Sequence, residues 1–211
     1  MSAFAPPVLS RLAVADPPGR WEALGFHVRD RAVRFDGVAL ALGAPGRGIV
    51  GWTLSGTEPV DTVDGLRTEV AALGLPGPAP QHPNGAVGID HVVVITPDFE
   101  RTSDALAQAG LPLRRIRHVE ARGGVRQGFR RLGPAILEIV ETPEMPEGPA
   151  RFWGLVLVVA DLPGLAERLG DRLGRVKPAV QPGRHIATLR SGAGLTPAVA
   201  FIDVEPPVAT A

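Results

Sequence analysis

The chain has 211 residues, 45% of them hydrophobic and 21% charged, the balance of a folded protein long enough to bury a substantial core. Its 22 Lys+Arg are matched by 22 Asp+Glu, which argues against nucleic acid or an anionic membrane as the main partner, since both select a basic excess. No cysteine occurs, so disulfides and thiolate metal sites are excluded and a reducing, cytoplasmic setting is expected.

Residues Met1–Pro7 carry neither a basic n-region nor a long apolar run. Leu9–Ala15 reads as a strand, Pro17–Leu24 as a short helix closed by Gly25, and His27–Phe35, Val38–Leu42 and Ile49–Leu54 as three further strands, with Asp36-Gly37 as a hairpin turn. Val60, Val63, Leu66, Val70 and Leu73 recur at near-helical spacing, which predicts an amphipathic connecting helix over 60–73. Pro76, Pro78, Pro80 and Pro83 then mark a stiff linker, placed at 76–87.

The strongest pattern starts at residue 88. Gly88–Thr96 is a β-branched strand, Asp98 is suited to cap a helix over Phe99–Ala109, and Gly110 ends that helix. Leu113–Glu120, Arg126–Leu132 and Ala135–Glu141 are extended segments divided by the turn signals Gly123-Gly124 and Gly133-Pro134. The same order recurs from 151. Phe152–Val159 is a strand, Asp161 a cap and Leu162–Leu173 a helix, followed by strands at Arg175–Val180, His185–Arg190 and Ala198–Asp203. The apolar stretches have strand length and not membrane length.

Repetition of strand, helix and three strands predicts an α+β fold. Its β-α-β-β-β modules pair into a curved, incompletely closed eight-stranded sheet, with helices outside and a cavity on the concave side. The predicted organisation is an accessory module with its connecting helix over 1–75, the linker 76–87, and a two-module domain over 88–204 (88–142 and 151–204). The odd module either caps the barrel or pairs across a homodimer. Alternation places His91 on one face with Ile89, Val93 and Ile95, and Glu138 with Ile136 and Val140. On the third strand, either Gln127, Phe129 and Arg131 or Arg126, Gly128 and Arg130 face the cavity. An inward arginine would select a carboxylate or phosphate on the ligand.

Gly88-Ile-Asp-His91 at the start of a module, with Ile136-Leu-Glu138 on its last strand, resembles the glyoxalase/bleomycin-resistance/dioxygenase superfamily, the vicinal-oxygen-chelate proteins. The resemblance is carried by 88–142, less by 151–204 and least by 9–56. It implies His91 and Glu138 as ligands of a divalent ion (Zn, Fe, Ni or Mn), with Glu120 or Glu141 as a base in lyase, isomerase or dioxygenase chemistry. A missing ligand would come from His118, Glu120, His185 or a second subunit. Gly154 and Ala200 stand where the third module should repeat His91 and Glu138. That departure leaves open a metal-free protein, in which His91 and Glu138 are a buried hydrogen-bonded pair and the cavity binds a small molecule. Substrate contacts are expected from Gln127, Arg126, Arg130 and, at the rim, His118 and His185. His27 and His82, near turns, are expected to be solvated, and Trp21, Trp52 and Trp153 to be core or interface aromatics.

Overall fold

The computed structural model describes residues 6–72, 79–120 and 124–205. In chain order the first unit is β1 (Val8–Val14), α1 (Pro18–Glu22), β2 (Val28–Arg29), β3 (Ala32–Phe35) and β4 (Val38–Leu42). Pro17 and Pro18 start α1, where a missing N–H costs nothing. The single strand expected over His27–Phe35 is broken into a β2–β3 hairpin. Asp30 and Arg31 both take positive φ, 51° and 56°, as a two-residue primed turn requires.

Ile49–Ser55 forms β5, which does not close this unit but opens another. The helix expected over 60–73 is absent. Its described part, up to residue 72, contains the hairpin of β6 (Thr62–Val63) and β7 (Leu66–Val70), turned by Asp64 (φ 44°) and Gly65 (φ 82°). The spacing of apolar residues by three and four also suits a hairpin whose turn adds two residues. The β-branched Thr62, Val63, Thr68 and Val70 and the Asp-Gly pair decide for the hairpin. The first sheet runs β2-β3-β4-β1-β5-β7-β6. β4 lies parallel to β1, and β7 lies parallel to β5. The unit β5-β6-β7 is thus an incomplete module, lacking a helix and one strand, beside the complete β1-α1-β2-β3-β4. This resolves the odd count.

The second sheet is formed by β8 (Ala86–Thr96), β9 (Arg115–Val119), β10 (Val125–Leu132) and β11 (Ala135–Glu141), with α2 (Phe99–Gln108) between β8 and β9. β12 (Arg151–Val159), β13 (Lys177–Pro178), β14 (His185–Thr188) and β15 (Ala198–Asp203) complete it, with α3 (Leu162–Leu169) following β12. Asp98 and Asp161 cap as expected, accepting from the amides of Arg101 (3.0 Å) and Gly164 (2.9 Å). The strand order β13-β14-β15-β12-β8-β11-β10-β9 is symmetric about the β8–β12 junction. The two modules therefore sit side by side in one eight-stranded sheet.

The helix-bearing faces of both sheets share one hydrophobic cluster. It joins Leu12, Leu40 and Trp52 of the first sheet, Trp21 of α1, Phe99 and Leu106 of α2, Leu165 of α3, and Val92, Leu137, Leu157 and Phe201 of the second. Phe26 stacks on Phe201 at 6.3 Å and Trp52 meets Phe152 edge-on at 5.3 Å. The sheets lie back to back, and the opposite face of the eight-stranded sheet points away from the first. His82, expected to be solvated, is buried: its Nδ1 accepts from the His27 amide (3.1 Å), its Nε2 lies 3.1 Å from the Arg34 carbonyl oxygen, and Phe26 and Phe35 flank it. Asn84 is buried as well and binds the Leu24 carbonyl, so the C-terminal part of the Pro-rich segment is packed in place. Residues 73–78 and the first glycine of the Gly123-Gly124 turn lie outside the described residues. Among those described, no helix is long and apolar enough to cross a membrane.

Candidate functional site

The site grows from an irregularity in β8. Opposite β12, His91 pairs with Val156 but Ile89 pairs with Leu157, so Asp90 is an extra residue, a β-bulge. The slip reverses the alternation upstream of it. Ile89 belongs to the core between the sheets, whereas His91 faces the other way with Val93 and Ile95. The expectation that Ile89 shares the face of His91 is thereby corrected. The bulge also turns Asp90 to the His91 side, where simple alternation would have sent it into the core.

β11 lies parallel to β8 and brings Glu138 opposite Val93, on the His91 side. Four charged side chains then form a chain across the concave face. Arg184 Nη1 donates to Asp90 Oδ1 (2.7 Å), and Asp90 Oδ2 meets His91 Nδ1 (2.8 Å). His91 Nε2 meets Glu138 Oε2 (3.1 Å). The Arg184 Nε also donates to the Asp203 carbonyl at 2.8 Å, which anchors the hairpin before β14. Side-chain exposure is 16% for His91, 12% for Glu138 and 8% for Arg184.

Burial alone would lower the His91 pKa. The hydrogen bonds and charges of Asp90 and Glu138 outweigh it and raise the value from 6.5 to about 9. Asp90 behaves in the converse way: desolvation pushes its pKa up, but His91 and Arg184 hold it below the ordinary carboxylate value. His91 is thus an imidazolium at neutral pH, donating from both nitrogens. Because its folded pKa is raised, its stabilisation is complete below pH 6.5 and is lost as the pH climbs through about 9. Across that window we expect unfolding free energy to fall by about 3 kcal/mol. Urea titrations check this, and His91→Gln should flatten the profile.

The register also decides which arginines share this face. Gln127, Phe129 and Arg131 pair with Val140, Glu138 and Ile136 of β11, and Arg117 and Arg115 pair with Gln127 and Phe129. The Arg117 Nε donates to Gln127 Oε1 at 2.6 Å and its guanidinium lies 5.3 Å from the Phe129 ring centre. The alternate set lies on the helix side. Gly128 abuts Phe99 and Leu113, Arg126 packs over Phe99 and pairs with Glu100 and Glu141, and Arg130 binds the Pro112 carbonyl. Glu141 accepts from Arg126, which holds it below the usual carboxylate range against the opposing effect of burial. It lies five residues beyond Ile136, the partner of His91 along β11. Glu120 is exposed just past the edge strand β9, His118 is exposed on β9 itself, and His185 is exposed and paired with Asp203. The structure joins His91 to Glu138 and puts Gln127 on the same face, bonded to Arg117, and it leaves Glu120, Glu141, Arg126, Arg130, His118 and His185 apart from them. Asp90, Arg184, Arg115 and Arg117 join the site without having been singled out in the sequence.

A resident divalent ion can be tested against this donor set. Asp90 and Glu138 occupy opposite nitrogens of the ring, so an ion on Nε2 would have only His91 and Glu138 from this module. On the symmetric module, β12 and β15 place Gly154 and Ala200 at the matching positions. An added Cβ at Gly154 would run into the Ala198 carbonyl, lying 2.9 Å from its carbon. Among the described residues no group of three or more His, Cys, Asp or Glu is arranged to hold a metal. Two ligands do not make a catalytic site of the known kinds, which use three or four. The residues present do not fit a resident ion.

No family model matches the chain, and no curated protein matches it. Solved structures do. A triple mutant of 4-hydroxymandelate synthase from Streptomyces coelicolor superposes with a TM-score of 0.66 at 14% identity, covering 98% of this chain and 95% of that one. Methylmalonyl-CoA epimerase from Mycobacterium tuberculosis is similar over 60% of this chain and 94% of its own, with 16% identity and a TM-score of 0.48. The Streptomyces coelicolor methylmalonyl-CoA epimerase in complex with 2-nitronate-propionyl-CoA gives 16% identity and 0.46 over 57% and 99%. Over both sheets, the whole chain shares its fold with that synthase.

Proposed function

We propose that this protein binds a small organic anion on the concave face of its eight-stranded sheet, without a resident metal. The observation that carries the reading is the row of guanidiniums on that face. Arg115, Arg117 and Arg131 share it, and among the described residues none of the three is paired with a carboxylate. Gln127 and Phe129 steady Arg117, which leaves its terminal N–H groups to grip a carboxylate in the two-pronged manner of arginine. Across the sheet from this row, beyond β11 and β8, Val158 and Ile186 cover a small apolar cluster of Val156, Ala200 and Ile202 and give the other module's half of this face a non-polar character. The His91 chain supplies structure to this face: its charges compensate one another internally and leave Arg115, Arg117 and Arg131 as free cations among the described residues.

4-Hydroxymandelate, an aromatic hydroxy acid named in the synthase with the same fold, is a suitable probe. Calorimetry on protein treated with a chelator should show saturable binding, weakened about tenfold by Arg117→Gln, as expected for loss of a charge-assisted pair. Metal analysis supplies the opposing arm, because the alternative is a metal-assisted lyase, isomerase or dioxygenase. Protein purified without added metal, and protein reconstituted with Zn, Mn, Fe or Ni, should retain no stoichiometric ion. Stoichiometric metal that is lost in His91→Ala and Glu138→Ala would overturn the metal-free reading and restore those two residues as ligands.

A further inference from the structure

A cavity lies where α1 and the β4–β5 connection of the first sheet meet β12 and the 189–198 segment of the second. It encloses about 500 Å³ and is lined by Arg20 at α1, Arg47 in the β4–β5 connection, Trp153 on β12, and the 189–198 segment, which includes Arg190 and Thr196. Trp153 stands here because β12 carries its own bulge. Phe152 pairs with Val94 and Gly154 with Val93, which leaves Trp153 as the extra residue. Its side chain is 53% exposed, while Trp21 and Trp52 are buried.

The rim of this cavity is held rigidly. Buried Asp16 accepts from the Thr196 amide and hydroxyl, both at 3.0 Å, and from Arg20 Nη1 at 3.0 Å. The Gly48 amide donates to the Thr196 hydroxyl at 2.9 Å, which ties the loop bearing Arg47 to the 189–198 segment. Asp16 compensates Arg20, and no lining residue is acidic. Among the described residues neither Arg47 nor Arg190 pairs with a carboxylate, so two charges remain uncompensated, the number a phosphate dianion carries. An exposed indole beside them offers a flat apolar surface for a planar ring.

We propose that this cavity is a binding site for a small molecule of nucleoside monophosphate type, its ring on Trp153 and its phosphate between Arg47 and Arg190. Trp153 is the exposed indole, so its fluorescence reports occupancy. Titration of the full chain with AMP should quench that signal saturably. Inorganic phosphate and adenosine, each carrying half of the recognised chemistry, should bind at least about tenfold more weakly. Arg47 is exposed and makes no side-chain bond among the described residues, so Arg47→Gln should fold normally and weaken AMP by about tenfold. Arg117→Gln on the concave face should leave AMP binding unchanged. No saturable quenching up to several millimolar (a weak-affinity limit), or binding equal in Arg47→Gln and the unaltered protein, would overturn the proposal. Quenching by adenosine equal to that by AMP would overturn the phosphate assignment.

Discussion

Gly154→His is expected to unfold the protein or to lower its stability by at least about 3 kcal/mol, although it restores the residue that the module pattern asks for. The reason is geometric. Gly154, directly after the Trp153 bulge, is paired with Ala198 at the start of β15, and an added Cβ would collide with the Ala198 backbone. A flexible side chain could yield to it. A carbonyl held in a parallel strand pair cannot move without breaking the β12–β15 ladder, and that ladder lies beside the central seam of the sheet. Gly154→Ala should show most of the same loss, because the clash belongs to the Cβ and not to the imidazole. Thermal or urea unfolding of the two variants checks this. A well-folded Gly154→His protein that gains a divalent ion would show that the site can be rebuilt by one substitution, contrary to what the backbone allows.

Arg184→Met is the second substitution with a large expected effect, a loss of about 3–5 kcal/mol. The methionine keeps much of the apolar stem but removes both guanidinium contacts, one to Asp90 and one to the Asp203 carbonyl. Asp90 would then be a buried carboxylate supported by His91 alone. The double variant Arg184→Met with Asp90→Asn should recover a large part of the loss, since it removes the uncompensated charge and not only its partner. Denaturant curves on the single and double variants separate this from simple loss of packing. No recovery in the double variant would mean that Arg184 acts chiefly through Asp203 and the β14 hairpin.

Much of the architecture was readable from residue types. The capping aspartates, Asp98 and Asp161, and the glycine-marked turns fixed the second and third modules, because those signals act locally and tertiary contacts had no reason to override them. The first sheet was harder to read. Asp30-Arg31 is a primed turn without glycine or asparagine, so nothing in its composition announced the break between β2 and β3. The stretch from Val60 satisfies two periodicities at once, and the short Asp64-Gly65 pair is its only local mark of a hairpin. Asp64 also binds Arg101 at 2.9 Å, a tertiary link that favours the hairpin and that only the folded chain displays.

The site was legible in its two central residues and not beyond them. His91 and Glu138 stood out by their places on the first and last strands of a module, and the structure brings them to 3.1 Å. Asp90 was not recognisable, since strict alternation assigns it to the opposite side of β8. Arg184 was masked by its position after a Pro-Gly turn and by the abundance of arginine in the chain. The choice between the two sets of β10 side chains needed a register, and Gly128 supplies the reason for the outcome: the set containing it packs against Phe99 of α2, where nothing larger fits.

Three register shifts interrupt the pairing of the central strands, and they leave Trp153, Asp90 and, near the start of β8, Val87 as extra residues. In an uninterrupted strand each side chain belongs either to the interior or to the opposite surface, and both duties are already taken. A single inserted residue creates a position that owes nothing to either layer. Asp90 uses that freedom for a charge and Trp153 for an exposed ring. Such insertions let the middle of a sheet, usually its most constrained part, acquire new chemistry while the neighbouring ladder keeps its partners.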